Sequence, residues 1–371
     1  MRDVTASLTG MILRRVRRDE RGAVAIIVAM LLGSGVLLGM SALVIDVARV
    51  YQERAELQNG ADAAAIAVAK SCALGACDPN VAVSTADANA SRLTGGTEGV
   101  SEVCGSDGLG TCPTPTGTLA DCLAPPPAGI NFVQVYTSTR LPDGSTLLPP
   151  VFADALLGNG GYQGSTVRAC AQAEWGAPSA ATTVAMTISA CEWDQATQQG
   201  TLFAQEPPYP PDEYPAISMD QELTLNSSPG GGCPTEPSGA DGPGTFGWVS
   251  HVRGNCTVSI NGPFVQRTRS STSISCGSLL QNAQQNQIPV LVPIYVSLQG
   301  GTYTLKGFAT FVVTGFSLPD IEMFAPDWLD PANDCPVTQE CLDGYFVQGV
   351  IPNTGSVSGV NLGASVIDLT G

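Results

Sequence analysis

Residues 21–65 read RGAVAIIVAMLLGSGVLLGMSALVIDVARVYQERAELQNGADAAA, and this stretch decides the organisation of the chain. From Ala23 to Ile45 there are 23 residues without a charge. At about 1.5 Å per residue a helix of that length reaches roughly 34 Å, enough for a ~30 Å hydrocarbon core. The run is longer than a signal-peptide core, ends at Asp46 and is followed by no convincing small-residue cleavage site, which predicts a retained anchor over 23–45. Arg14, Arg15, Arg17, Arg18 and Arg21 stand just before it. Basic residues stay on the cytoplasmic side, so 1–22 is expected inside the cell and the body outside. Gly35 and Gly39 form a G-x-x-x-G, and Ala25, Ala29 and Gly33 a second small-residue row, a spacing that lets two membrane helices approach closely.

Beyond Asp46, Val47, Val50, Tyr51, Arg54, Leu57, Ala61, Ala64, Ala65 and Val68 recur at helical spacing, while Gln52, Glu53, Glu56, Asn59 and Asp62 fall on other faces. This predicts a juxtamembrane amphipathic helix over 46–71, with Asn59-Gly60 as a point of kinking or breakage. Its stripe packs on the protein's own outer region or, alternatively, on a partner.

The rest of the composition agrees with an extracytoplasmic body. The chain has 371 residues, net charge −17, 13% charged residues, 42 Gly and 27 Pro. So little charge with so many turn formers favours β-structure with long loops over a helical enzyme core. The excess of acid lies after the arginine-rich start, and an acidic body repels phosphate backbones, which excludes nucleic acid as a partner. All twelve cysteines (Cys72, Cys77, Cys104, Cys112, Cys122, Cys170, Cys191, Cys233, Cys256, Cys276, Cys335 and Cys341) follow the apolar run, and none forms a C-x-x-C. That pattern predicts oxidised pairs in an oxidising compartment, with connectivity left open apart from a local staple available to Cys72 and Cys77.

Arg21-Gly22-Ala23-Val24-Ala25, the apolar span, Asp46-Val47-Ala48-Arg49-Val50-Tyr51 and Glu56-Leu57-Gln58-Asn59-Gly60-Ala61-Asp62-Ala63-Ala64-Ala65 together resemble the N-terminal region of TadE/TadG-like proteins of Flp (Tad) pilus assembly. The family usually carries Ala where Gly60 stands. Looser similarities follow at Phe246-Gly247-Trp248, the strand around Pro293, Gly307-Phe308-Ala309-Thr310-Phe311 and Gly344-Tyr345-Phe346-Val347. Processed pilins and pseudopilins of this system have a cleavage glycine followed by Glu at the fifth position. Here Gly22 is followed at that position by Ile27. A carboxylate in a bilayer is costly and persists only for a reason. Its absence favours the TadG-like reading over a processed subunit.

The region 72–371 is expected to be β-rich and open to division into two subdomains near 176–182. Residues 72–130 read as loops. Strands are expected at 132–136, 165–175, 246–252, 256–260, 289–298, 302–313 and 345–351, and a short helix over 151–157. Ala180–Cys191 suits helix or strand, Pro293 marks an edge strand or bulge, and 207–215 and 227–244 read as Pro/Gly loops. The fold class is α+β, a long N-terminal helix with antiparallel sheet.

Chemistry is sparse. No G-x-S-x-G, H-E-x-x-H, Walker A loop or dinucleotide fingerprint occurs. The one histidine, His251, stands in a strand-like run without a catalytic partner. The Asp-x-Ser-x-Ser metal motif of the von Willebrand type A domain, which some TadG-like proteins carry, is absent. Asp327, Asp330, Asp334 and Asp343 gather near Cys335 and Cys341 without EF-hand spacing, so they read as a solvated acidic loop rather than a calcium site. No catalytic residue, cofactor, metal or small-molecule substrate is expected. The sequence points to a non-enzymatic, membrane-anchored envelope component supporting pilus assembly, whose partners are the membrane and other pilus-assembly proteins. The alternatives are a minor pilin in the fibre and a membrane-tethered surface binding module.

Overall fold

In a computed structural model of the chain, the described residues are 24–31, 33, 36–89, 97–118, 121–152, 164–205, 207, 223–226, 246–251, 255–268, 274–318, 321–323, 341–351 and 357–371. The helices are α1 (Val36–Ala73), α2 (Val81–Asn89), α3 (Ala190–Ala196) and α4 (Ile274–Gln285). The strands are β1 (Thr97–Gly105), β2 (Asn131–Arg140), β3 (Leu147–Leu148), β4 (Ser165–Thr166), β5 (Arg168–Gly176), β6 (Ala180–Val184), β7 (Met186–Ser189), β8 (Leu223–Asn226), β9 (Phe246–Val249), β10 (Thr257–Asn261), β11 (Phe264–Thr268), β12 (Val290–Gln299), β13 (Thr302–Leu318), β14 (Ile321–Met323), β15 (Cys341–Val347), β16 (Gly349–Ile351) and β17 (Ala364–Leu369). The α+β class with a β-rich, disulfide-bonded C-terminal region is as expected.

The membrane span is not recovered as one apolar helix. Among the described residues no helix is long and apolar enough to cross a membrane. Residues 24–31, 33 and 36–45 are helical, and Asp46 is the first charge after them. The helix expected over 46–71 does form, and it runs through Asn59-Gly60 without a break. Glycine inside a helix costs about 1 kcal/mol relative to alanine. Burial of Leu57, Gly60, Ala61, Ala64, Ala65 and Val68 on one face outweighs that cost. Val47 and Tyr51, assigned to the same stripe, are exposed instead.

The described chain divides into two compact units. The first holds its described residues from 1–61, 86–101 and 136–169. In it β3 pairs with β4, Leu147 opposite Thr166. Its core is Leu57, Leu148, Val167 and Ala169, with Val50 packed against them.

The second unit holds 62–85, 102–135 and 170–371. One sheet has the order β1-β2-β5-β17-β16, with β1 up to Ser101, β2 from Tyr136 and β5 up to Ala169 counted in the first unit. Another runs β11-β9-β7-β12-β13-β15-β8, and β11 also pairs with β13. The pairings therefore close on themselves through β7, β9, β11, β13 and β12, and only the β7–β12 contact of that ring is parallel. β12 and β13 are joined by Gly300-Gly301, at φ 56° and 82°, between paired Gln299 and Thr302. Positive φ at both positions is what a two-residue type I′ hairpin demands, and glycine supplies it without steric cost. Along β12, Val290, Val292 and Ile294 enter one core with Ala309, Phe311 and Val313. Leu291, Tyr295 and Leu298 enter another with Tyr303, Leu305 and Phe308. Register shifts at Ile294, Tyr295 and Ser297 mark the bulge that lets this strand serve both.

Pro293 is thus beside a bulge but not on an edge, because β12 pairs with β13 on one side and β7 on the other. Contact with β7 begins at Ile294, and at Pro293 the neighbouring Thr187 hydroxyl donates to the proline carbonyl at 2.7 Å. The ambiguous 180–191 segment is two strands followed by a helix. Ser189 stops β7 and caps α3 by accepting from the Cys191 N–H at 3.2 Å. Residues 72–130, read as loops, contain α2 and β1. The helix expected over 151–157 and the loops at 207–215 and 227–244 fall almost wholly outside the described residues.

Candidate functional site

The first unit is organised around residues 36–61 of α1. Leu57 is completely buried against Leu148, Val167 and Ala169. The Thr137 hydroxyl donates to the Leu57 carbonyl at 3.0 Å and tethers helix to strand. One turn before Leu57, on the same face, Glu53 is buried too. Burial raises its pKa, and repulsion from Glu56 raises it further. The Thr139 hydroxyl and Arg49 pull the other way, although Thr139 Oγ1 makes no hydrogen bond of ordinary geometry. About two turns earlier, Asp46 accepts from the Val151 N–H at 2.8 Å and from the Phe152 N–H at 3.3 Å.

In the second unit α1 ends in a defined stop. The Ala76 N–H reaches the Ser71 carbonyl at 3.0 Å, the Gly75 N–H reaches that of Cys72 at 3.0 Å, and Gly75 has φ 80°. These two bonds with a left-handed glycine make a Schellman cap. The Cys72–Cys77 disulfide closes over it.

The other predicted residues are dispersed. Gly35 lies outside the described residues, and a Cβ at Gly39 would meet nothing within 4 Å. Disulfides join Cys104 to Cys112, Cys122 to Cys170 and Cys256 to Cys276. Cys191 and Cys341 are disulfide-bonded as well, and no described cysteine is free. Cys233 and Cys335 lie outside the described residues. His251 Nδ1 stands 3.0 Å from the Val249 carbonyl. Asp343 is no part of a solvated loop; it is buried in β15, opposite Thr224 and Gly315. Asp327, Asp330 and Asp334 lie outside the described residues, and no group of potential metal ligands occurs among those described.

Sequence reasoning placed Glu53 on a face away from the apolar stripe, whereas its position four residues before Leu57 puts it on the buried face. It read Asp46 only as a boundary charge, since partners 105 and 106 residues away leave no local trace.

The helix that orders the first unit also lies in the part of the chain that a family model matches. Residues 22–71 match the family model Tad, TadE/G-like Flp pilus assembly. The chain carries a TadE/G-like segment. The matched stretch includes Asp46, Val50, Glu53 and Leu57, through which α1 meets the first unit's strands and loop. It ends at Ser71, one residue before the first cysteine. No curated protein and no solved structure matches the chain.

Proposed function

We propose that this chain is a non-enzymatic, membrane-tethered envelope component that supports assembly or anchoring of a Flp pilus, with its body outside the cell. The observation that carries the reading is the TadE/G-like match over residues 22–71. Two features support the tether. Residues 23–45 hold no charge behind a cluster of arginines. The large apolar side chains there are also solvent-exposed on successive positions, among them Ile26, Ile27 and Val28 and then Leu43, Val44 and Ile45. A helix apolar on every side suits an apolar surrounding rather than a one-sided groove. The oxidised cysteines support the outward orientation.

On this reading the work is physical. The tether holds the outer body beside the pilus machine and raises its effective concentration there. A chain lacking 23–45, exported instead by a cleavable signal, should fail to restore piliation to a strain without the gene. Normal piliation by that untethered body would refute the scaffold. The minor-pilin alternative is separated by the mature N-terminus: Ile27 in place of the pilin glutamate predicts that Arg21 and Gly22 are retained. A mature chain starting at Ala23 would place it among processed pilins.

A further inference from the structure

We propose that the segment Leu147–Phe152 is a second membrane contact, a loop that Asp46 holds against the bilayer surface beside the helix. The inference rests on the tethered reading above and deepens it. The hexapeptide Leu-Leu-Pro-Pro-Val-Phe carries no charge. Leu148 is buried and packs with Leu57, which fixes one end of the segment to the first unit's core. Leu147, Val151 and Phe152 are exposed at 44%, 47% and 42%. Three large apolar side chains exposed within six residues of an acidic body need an apolar surrounding to be favourable.

Asp46 sets where that surrounding begins. It is the first charge after the uncharged run, so on a tethered helix it stands at the boundary between lipid and water. Both of its carboxylate oxygens are engaged by the loop: Oδ1 by the N–H groups of Val151 and Phe152, and Oδ2 by that of Phe152 at 3.3 Å. Backbone donors satisfy the carboxylate and tie the loop to the helix at that level. The exposed Met40, Leu43, Val44 and Ile45 lie within about 9 Å of Asp46 along the helix axis. The loop's apolar side chains thus continue the apolar surface of the helix. The occupant that fits is lipid, because the exposed residues 43–45 are consecutive and therefore not confined to one helix face. Asp46 is a positioning residue that fixes the depth and tilt of the first unit on the bilayer.

The test places a benzophenone amino acid at position 152, 44 or 264 of the full chain in vesicles of phosphatidylethanolamine and phosphatidylglycerol. Phe264 is the control, 66% exposed on β11. After irradiation, lipid adducts are expected at 44 and at 152, each several-fold above 264. In Asp46→Ala the adduct at 152 should fall to the level at 264 while that at 44 persists, and Asp46→Asn, which keeps an acceptor oxygen, should retain part of it. Adducts at 44 but not at 152 would overturn the loop contact and leave the tether standing. Adducts at neither would sink the tether as well. A crosslink from 152 to a second copy of the chain instead of lipid would overturn the proposal, and an undiminished adduct at 152 in Asp46→Ala would remove the role of Asp46.

Discussion

Glu53 shows how one residue links the helical spacing of α1 to stability. It is buried on the packed face, and burial holds its pKa above the usual carboxylate range. A group whose folded-state pKa is raised favours the fold when protonated. Its contribution is fully present below the ordinary glutamate range and is lost as pH rises through the folded value. Glu192, buried at the start of α3, is shifted in the same direction by the same cause. Asp121 runs the opposite way. The N–H groups of Thr116 and Thr118 and the Thr116 hydroxyl draw its pKa down to about 2, so its contribution is lost only in strong acid. Glu53→Gln removes the titration and keeps the shape. It should be more stable than the parent at pH 7 in denaturant unfolding, with the advantage shrinking as pH falls toward 4. An unchanged difference across that range would show that Glu53 does not titrate with folding.

The disulfides brace elements of different reach. Cys72–Cys77 bridges a separation of 5 residues and reinforces a helix end that its Schellman cap already stops. Cys122–Cys170 bridges 48 residues and joins a loop to β5 in the second unit. Beside it the buried Gln134 donates to Gln172 Oε1 at 2.7 Å and to the Leu123 carbonyl at 2.9 Å. Constraint of the unfolded chain scales with the logarithm of the closed loop, which gives about 4 kcal/mol for the longer bridge against about 2 for the shorter. Replacing both Cys122 and Cys170 with alanine should therefore lower the melting temperature of residues 72–371 more than replacing Cys72 and Cys77. Equal losses would mean that chain entropy is not what these bridges supply.

For the whole molecule, charge and cysteine placement bear on topology together. Arginines crowd the first 21 residues, the acid excess and all the cysteines follow, and no described cysteine is free. A reporter that works only outside the membrane should be active when fused after Gly371. Activity there of a cytoplasm-only reporter would reverse the orientation.

The organisation of the chain was legible where its signals are local. Helical spacing from Val50 to Val68, the cysteine placement and the β-branched runs of β12 and β13 are patterns of neighbouring residues, read without knowledge of distant partners. The similarity to TadE/G-like proteins was legible for the same reason, being carried by one continuous helix. What the sequence left open depended on partners far along the chain. Of the edge or bulge expected at Pro293, the bulge stands beside it and the edge failed because β7 covers the other side of β12; a proline's missing donor matters only where a neighbouring strand needs it. Asp343 read as a solvated loop residue until β15 placed it between β13 and β8. The closure of β11 onto β13, the pairing of Cys122 with Cys170 and the capture of the Val151 and Phe152 amides by Asp46 are all contacts between segments tens of residues apart. Local propensity cannot select among such partners, because their free energy appears only when the tertiary structure brings them together.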